Sequence, residues 1–340
     1  MKFVMCLPKN VFESEAIKNF VSVCHSKELE SIYMDSSSEE VRGAYSSILY
    51  ENKNVVTWIF RIPHSSYKGI NTLFLDNGLL FQKNGMFLDH LGHWTDSSFV
   101  LGNKASAKYS KEEYSTLCKY MLDNFGFDKR DDFDKDGPIL IALQTKSDCP
   151  TQFYFKHPLY NYEVLVPSFT LGMKLEKRTI KSVSEDSVYN LLHICKDKFP
   201  ENVPVIVRPH PLDRERFKSQ FSLYAEFFKG NWSIDESPKI YDTAKKCRVI
   251  VTINSTVATE MLFIGIPVVV LGKGLFTNSG AVFDCSEDFE KLKYFPDYVP
   301  DVERINSFLC SILRYQVPYN ASCEFIENHP SVKAWIGKTL

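Results

Sequence analysis

The chain lacks any run of the ~20 apolar residues that a membrane-spanning helix requires. It has no Cys-x-x-Cys pair either. Its nine cysteines, at 6, 24, 118, 149, 195, 247, 285, 310 and 323, are odd in number and irregularly spaced. That argues against a disulfide framework or a zinc site, and for reduced thiols that mostly act as small buried hydrophobes. A dominant charge is missing as well: 40 Lys and Arg stand against 42 Asp and Glu, a net −2. No basic surface for nucleic acid is expected from that balance. The apolar run at Met1–Leu7 is too short for a signal peptide. A cytoplasmic protein is expected, with peripheral membrane attachment compatible and the oligomeric state open. The Asn-x-Ser/Thr triplets at Asn231, Asn254 and Asn320 then read as chance matches.

What is present is an ordinary globular composition, 44% apolar and 24% charged over 340 residues, with room for two domains. The 26 Phe and 17 Tyr are read as core side chains. Apolar runs at 2–7, 31–34, 55–62 and 71–75 read as strands, and the spacing of apolar residues predicts helices over 14–24 and from about 36 to 50. The segment 76–100, with Gly78, Gly85 and Gly92, reads as a structured loop. Ser110 caps a helix to Phe125, with Glu112 and Glu113 in its first turn. The Asp- and Lys-rich stretch 128–137 reads as a linker. A second alternating series follows: strands at 138–143, 205–207, 249–253 and 267–271, helices at 184–199, 214–221, 241–246 and 256–264. Helices over 302–315 and after Pro330 complete the tail. Strands alternating with helices predict doubly wound α/β domains. The expected division is 1–130, 137–310 and a helical tail, 311–340, packing back on the first domain.

Two motifs follow buried strands. Arg208-Pro209-His210-Pro211 comes after Val205-Ile206-Val207, and Asn254-Ser255-Thr256 after Val249–Ile253. In an open α/β sheet, ligands bind at the carboxyl ends of the strands. The prolines hold His210 in an extended turn, where its imidazole can donate to a phosphate oxygen. Ser255 and Thr256 open a helix with hydroxyls and N–H groups for an anion, though a plain N-cap accounts for the serine equally well. Glu260 lies one turn further on, placed for ribose hydroxyls. Gln144-Thr145-Lys146-Ser147-Asp148 ends the strand at 139–143; Asp148 there is either a nucleophile or base or part of an ordinary turn. Asp89, His90, His93 and Asp96 have no recognised zinc spacing, and Lys174, Lys177 and Arg178 read as a solvated basic face. The working idea is the nucleotide-sugar half of a glycosyltransferase.

In this order the motifs resemble those of the capsule-polysaccharide β-Kdo transferase family, bacterial enzymes that use CMP-Kdo. The family's Gln-x-x-x-Asp is matched by Gln144 and Asp148, and its His-Pro by His210-Pro211. Its Ser/Thr turn, Glu and Gly-x-Pro are matched by Ser255, Thr256, Glu260 and Gly265–Pro267, and its acidic-x-Gly loop by Asp76-Asn77-Gly78. The resemblance implies a GT-B fold, two Rossmann-like domains facing a cleft, with a C-terminal helical tail. It implies a retaining transfer from CMP-Kdo or a similar CMP-linked acidic sugar to a glycan acceptor, in surface polysaccharide synthesis. Asp148 would be the nucleophile, Asp76 the acceptor-side acid, and Gln144 part of the donor site. His210, Ser255 and Thr256 would hold the phosphate, Glu260 the ribose, and Arg208 a phosphate or sugar carboxylate. The sequence departs from the family in Thr145-Lys146-Ser147, in Asp76 where Glu is usual, and in Gly272-Lys273-Gly274-Leu275-Phe276. A UDP- or GDP-sugar transferase, possibly inverting, a sugar-nucleotide epimerase and an inert glycan-binding relative stay open as alternatives. No Asp-x-Asp stands at a strand end, so neither metal nor cofactor is expected.

Overall fold

The computed structural model describes residues 1–39, 41, 47, 51–58, 70–77, 85–91, 100, 108–126, 136–145, 161–168, 174–181 and 187–340. For 77, 124–125, 161–168, 174–181 and 296–297 the description covers the backbone alone. The chain forms two compact units: Met1–Asp128 with Asn278–Ala281 and Asp301–Leu340, and Lys129–Thr277 with Val282–Pro300.

The first unit opens with β1 (Lys2–Leu7), β2 (Glu30–Asp35), β3 (Asn54–Trp58), β4 (Asn71–Asn77) and β5 (Gly85–Asp89). Strands β1 to β4 pair in parallel, and β5 turns back antiparallel to β4. Helix α1 (Glu15–His25) starts where Ser14 accepts the Ile17 N–H and buries Ala16, Ile17, Phe20, Val23 and Cys24. Helix α2 (Lys111–Phe125) has a full capping box between Ser110 and Glu113 and ends on Gly126 at φ 65°.

The expected loop over 76–100 is corrected here. Strand β4 runs on to Asn77, and β5 is buried along its whole length. Its glycine is a strand residue: a Cβ on Gly85 would stand 2.6 Å from the Val317 carbonyl oxygen. Most of the predicted 36–50 helix and of the 128–137 linker lies outside the described residues.

The second unit holds β6 (Ile139–Ala142), an antiparallel pair β7 (Asn161–Ser168) and β8 (Lys174–Lys181), then α3 (Ser187–Lys198) and β9 (Val205–Arg208). There follow α4 (Arg214–Ser219), β10 (Trp232–Ile234), α5 (Ile240–Ala244), β11 (Val249–Thr252), α6 (Val257–Phe263), β12 (Val268–Val270) and β13 (Phe283–Asp284). Apart from the β7–β8 pair they form one wholly parallel sheet in the order β10-β9-β6-β11-β12-β13. Its central strands β6 and β11 are buried throughout. Each Val or Ile so buried contributes about 1.5–3 kcal/mol. That is why these β-branched runs fold as interior strands rather than amphipathic ones.

The tail belongs to the first unit. Helix α7 (Val302–Tyr315) leads into β14 (Gln316–Pro318), which pairs antiparallel with β5; α8 (Cys323–Asn328) and α9 (Pro330–Thr339) follow. Trp335 of α9 is fully buried against Phe3 and Phe20, and its indole donates to the Asn71 carbonyl at 3.1 Å. Among the described residues, eight cysteines are free thiols. No helix among them is long and apolar enough to cross a membrane.

Candidate active site

The path of the chain through the second sheet singles out one place. From β6 it moves outward to β9 and β10, then returns across β6 to β11 and moves outward the other way. The winding therefore reverses between β6 and β11. All six strands are parallel, so their carboxyl ends share one edge, and it is at such a reversal that open α/β sheets take their ligands.

Gln144 and Asn254 stand just past those two strands. The Gln144 amide nitrogen donates to Asn254 Oδ1 at 3.0 Å, and its carbonyl oxygen accepts the Asn254 N–H at 2.8 Å. Asn254 Nδ2 donates in turn to the Lys273 carbonyl at 3.0 Å. Both side chains are buried, and a buried amide needs such partners. Gly272 lets this turn close up, because a Cβ there would lie 2.6 Å from Ile253 Cγ2. The Gly272–Phe276 element thus packs directly on the Asn254 turn. Ser255 and Thr256 lead from that turn into α6, and Ser255 Oγ accepts the Val257 N–H at 3.3 Å. Thr256 makes no side-chain cap.

His210 approaches from the neighbouring strand end. It lines a small hollow together with Gln144, Asp213 and Arg216. Its Nδ1 accepts the Leu212 N–H at 3.2 Å, an arrangement that puts the neutral ring's proton on Nε2. Arg216, which the motifs had not singled out, brings a guanidinium bonded to Asp213 at 2.7 Å.

Glu260 follows on the first turns of α6 and accepts a hydrogen bond from the Tyr241 hydroxyl. Burial pushes its carboxyl up to about 7, partly offset by that bond. The same burial, with the carboxylate beside it, raises the Tyr241 phenol.

Arg208 differs from the expectation. Its guanidinium is buried and paired with Asp235, and it also donates to Ser237 Oγ at 2.9 Å and the Ser237 carbonyl at 3.1 Å. It fastens the loop after β10 instead of facing a ligand. Asp235 also accepts from the Ser237 N–H and Thr243 hydroxyl. Burial works against its charge, yet these bonds and Arg208 hold its carboxyl below the usual value. Sequence reasoning missed Asp235 because β10 is only the triplet Trp-Ser-Ile, too short to show alternation.

Asp76 is the penultimate residue of β4, opposite Phe87 of β5 in the first unit, and half-buried. Asp148 lies outside the described residues, as do His93 and Asp96. Among the described residues no group of three His, Cys, Asp or Glu could hold a metal ion.

Residues 179–310 match the family of capsule polysaccharide biosynthesis proteins. The matched stretch carries β9 to β13 and with them His210, Ser255, Thr256 and Glu260. The structure is similar to that of the β-Kdo 2,7 transferase of KpsC from Thermosulfurimonas dismutans. The TM-score is 0.54 at 13% identity, covering 100% of this chain and 99% of that one. The β-Kdo 2,4 transferase of the same KpsC gives 0.46 at 12% identity, over 90% and 89%. The first likeness establishes the fold, which is GT-B; the second is too distant to carry an argument. The resemblance read from the sequence stands. No curated protein matches the chain in sequence.

Proposed function

We propose that this capsule-synthesis relative is a glycosyltransferase that draws on a nucleotide sugar, with a CMP-linked acidic sugar such as CMP-Kdo as donor and a glycan as acceptor. One observation carries the reading: Gln144 both shares a hollow with His210 and bonds to Asn254. Gln144 thereby links the His-Pro turn to the turn that carries Ser255 and Thr256, beside the reversal point of a parallel sheet, where α/β proteins take their ligands. His210 Nε2–H, the Ser255 and Thr256 hydroxyls and the Arg216 guanidinium are groups that stabilise the departing phosphate. Glu260, held by Tyr241, supplies a carboxyl group for ribose hydroxyls.

For the chemistry, the family pattern supports Asp148 as nucleophile. Its carboxylate attacks the anomeric carbon and the C–O bond to the phosphate breaks, releasing CMP. The acceptor hydroxyl, losing its proton to a general base, then displaces Asp148, giving net retention.

A thermal-shift screen with CMP, UDP, GDP and their sugars tests the donor. Stabilisation by CMP is expected; stabilisation by UDP or GDP alone would reject the assignment. Asp148→Ala should abolish transfer and leave nucleotide binding nearly intact, so near-normal turnover would remove Asp148 from the mechanism.

A further inference from the structure

The two oxygens of Glu260 have unequal surroundings. Oε2 accepts the hydroxyl of Tyr241. Among the described residues Oε1 has no hydrogen-bond partner, and it keeps a solvent-accessible face. Helix α5 brings Tyr241 here, and its fully buried Ala244 seats that short helix. The strands on which α6 packs add no charge, being Val249–Thr252 and Val268–Val270. Asp242, beside Tyr241, is turned out to solvent. Among the described residues no cation pairs with Glu260.

A carboxyl withdrawn from water without a cation beside it resists ionisation. Burial accordingly raises Glu260 to about 7, and the Tyr241 bond holds it lower than burial alone would. While the phenol donates to Oε2, the proton of the neutral form sits on Oε1, the oxygen left for a ligand. Neutral, that oxygen presents an O–H; ionised, it presents lone pairs only. A ribose 2′,3′-diol offers two O–H donors, and a charged acceptor binds such donors about twice as strongly as a neutral one.

We propose that Tyr241 is a positioning residue that couples nucleotide binding to the release of a proton. By occupying Oε2 it leaves Oε1 to the ribose, and the diol takes Glu260 in its ionised form, the carboxyl proton passing to solvent. The proposal rests on the nucleotide-sugar reading above and goes beyond it in linking donor capture to pH. The sign follows from the direction of the shift. Binding is strongest above about 7, where the carboxyl is already ionised, and weakens as pH falls through that value, because the proton must then be expelled. Tyr241 sets where this happens, since its hydrogen bond favours the charged form.

Calorimetric titration of CMP and 2′,3′-dideoxy-CMP into the full chain, between about pH 6 and about pH 9, tests this. The two ligands carry the same phosphate, so its own titration cancels in the ratio of their affinities. The wild-type preference for CMP should rise about tenfold from about pH 6 to about pH 8. Glu260→Gln should make the ratio independent of pH. Tyr241→Phe should move the rise to higher pH, so that its deficit near neutrality closes at the alkaline end. A merely structural loss would be equal at every pH. A wild-type ratio that does not change with pH, or an unmoved rise in Tyr241→Phe, overturns the proposal and leaves the nucleotide reading intact. If CMP binds at no pH, the nucleotide-sugar reading itself falls, and this coupling with it.

Discussion

Two junctions at one edge of the second sheet are built from opposite chemistry. Past β9 and β10, Arg208 and Asp235 form a buried ion pair, with side chains only 6% and 4% exposed. Past β6 and β11, two neutral amides, Gln144 and Asn254, close on each other. The ion pair uses its charge internally: Asp235 accepts from Arg208, Ser237 and Thr243, so the pair fixes a loop. The amides fix the turn between the candidate phosphate groups without placing a charge there.

The comparison breaks most severely at the ion pair. Arg208→Ala leaves Asp235 buried and uncompensated and should cost about 3–5 kcal/mol of stability, read as a shifted denaturant midpoint. Acid should reach the same junction. The Asp235 carboxyl lies below its ordinary value when folded, so its contribution is present at neutral pH and fades as pH falls through that lowered value. Asn254→Ala strikes the other junction more gently. It removes the acceptor of the Gln144 amide nitrogen and the donor to the Lys273 carbonyl, and about 1–3 kcal/mol is expected from such a buried loss. Nucleotide affinity should fall with it, whereas Arg208→Ala should lower affinity only as far as it unfolds the protein. Equal effects of the two on affinity at a temperature where both are folded would erase the distinction.

A third effect, at Glu260, depends on pH. Its folded carboxyl is raised from the ordinary 4.5 to about 7, so the folded state holds a proton that the unfolded chain has released. Stability attributable to this group is present below about 4.5 and is lost as pH rises to about 7. Glu260→Gln should therefore melt progressively higher than the wild type between pH 5 and 8. A constant difference across that range would contradict the buried, protonated carboxyl.

Much of this edge was legible in the sequence because runs such as Val249–Thr252 are β-branched and bounded by turn residues. The two motifs follow such runs directly, so their positions at strand ends could be read. Arg208 misled for a physical reason: its partner Asp235 follows a three-residue strand that has no pattern of its own. In the first unit the glycines of 76–100 signalled a loop, yet Gly85 is a strand residue that lets the Val317 carbonyl of β14 approach. Three-residue β14 contains Pro318 and carries no strand signature either. Tertiary approach, not local propensity, decides both.

The central claim is that the meeting of the His-Pro and Asn-Ser-Thr turns is the nucleotide site. Hydrogen exchange of the full chain with and without saturating CMP tests it most directly. The account predicts added protection at the backbone amides of 210–214 and 253–257. Protection confined to the first unit, or none at these two turns while CMP is bound, would contradict it.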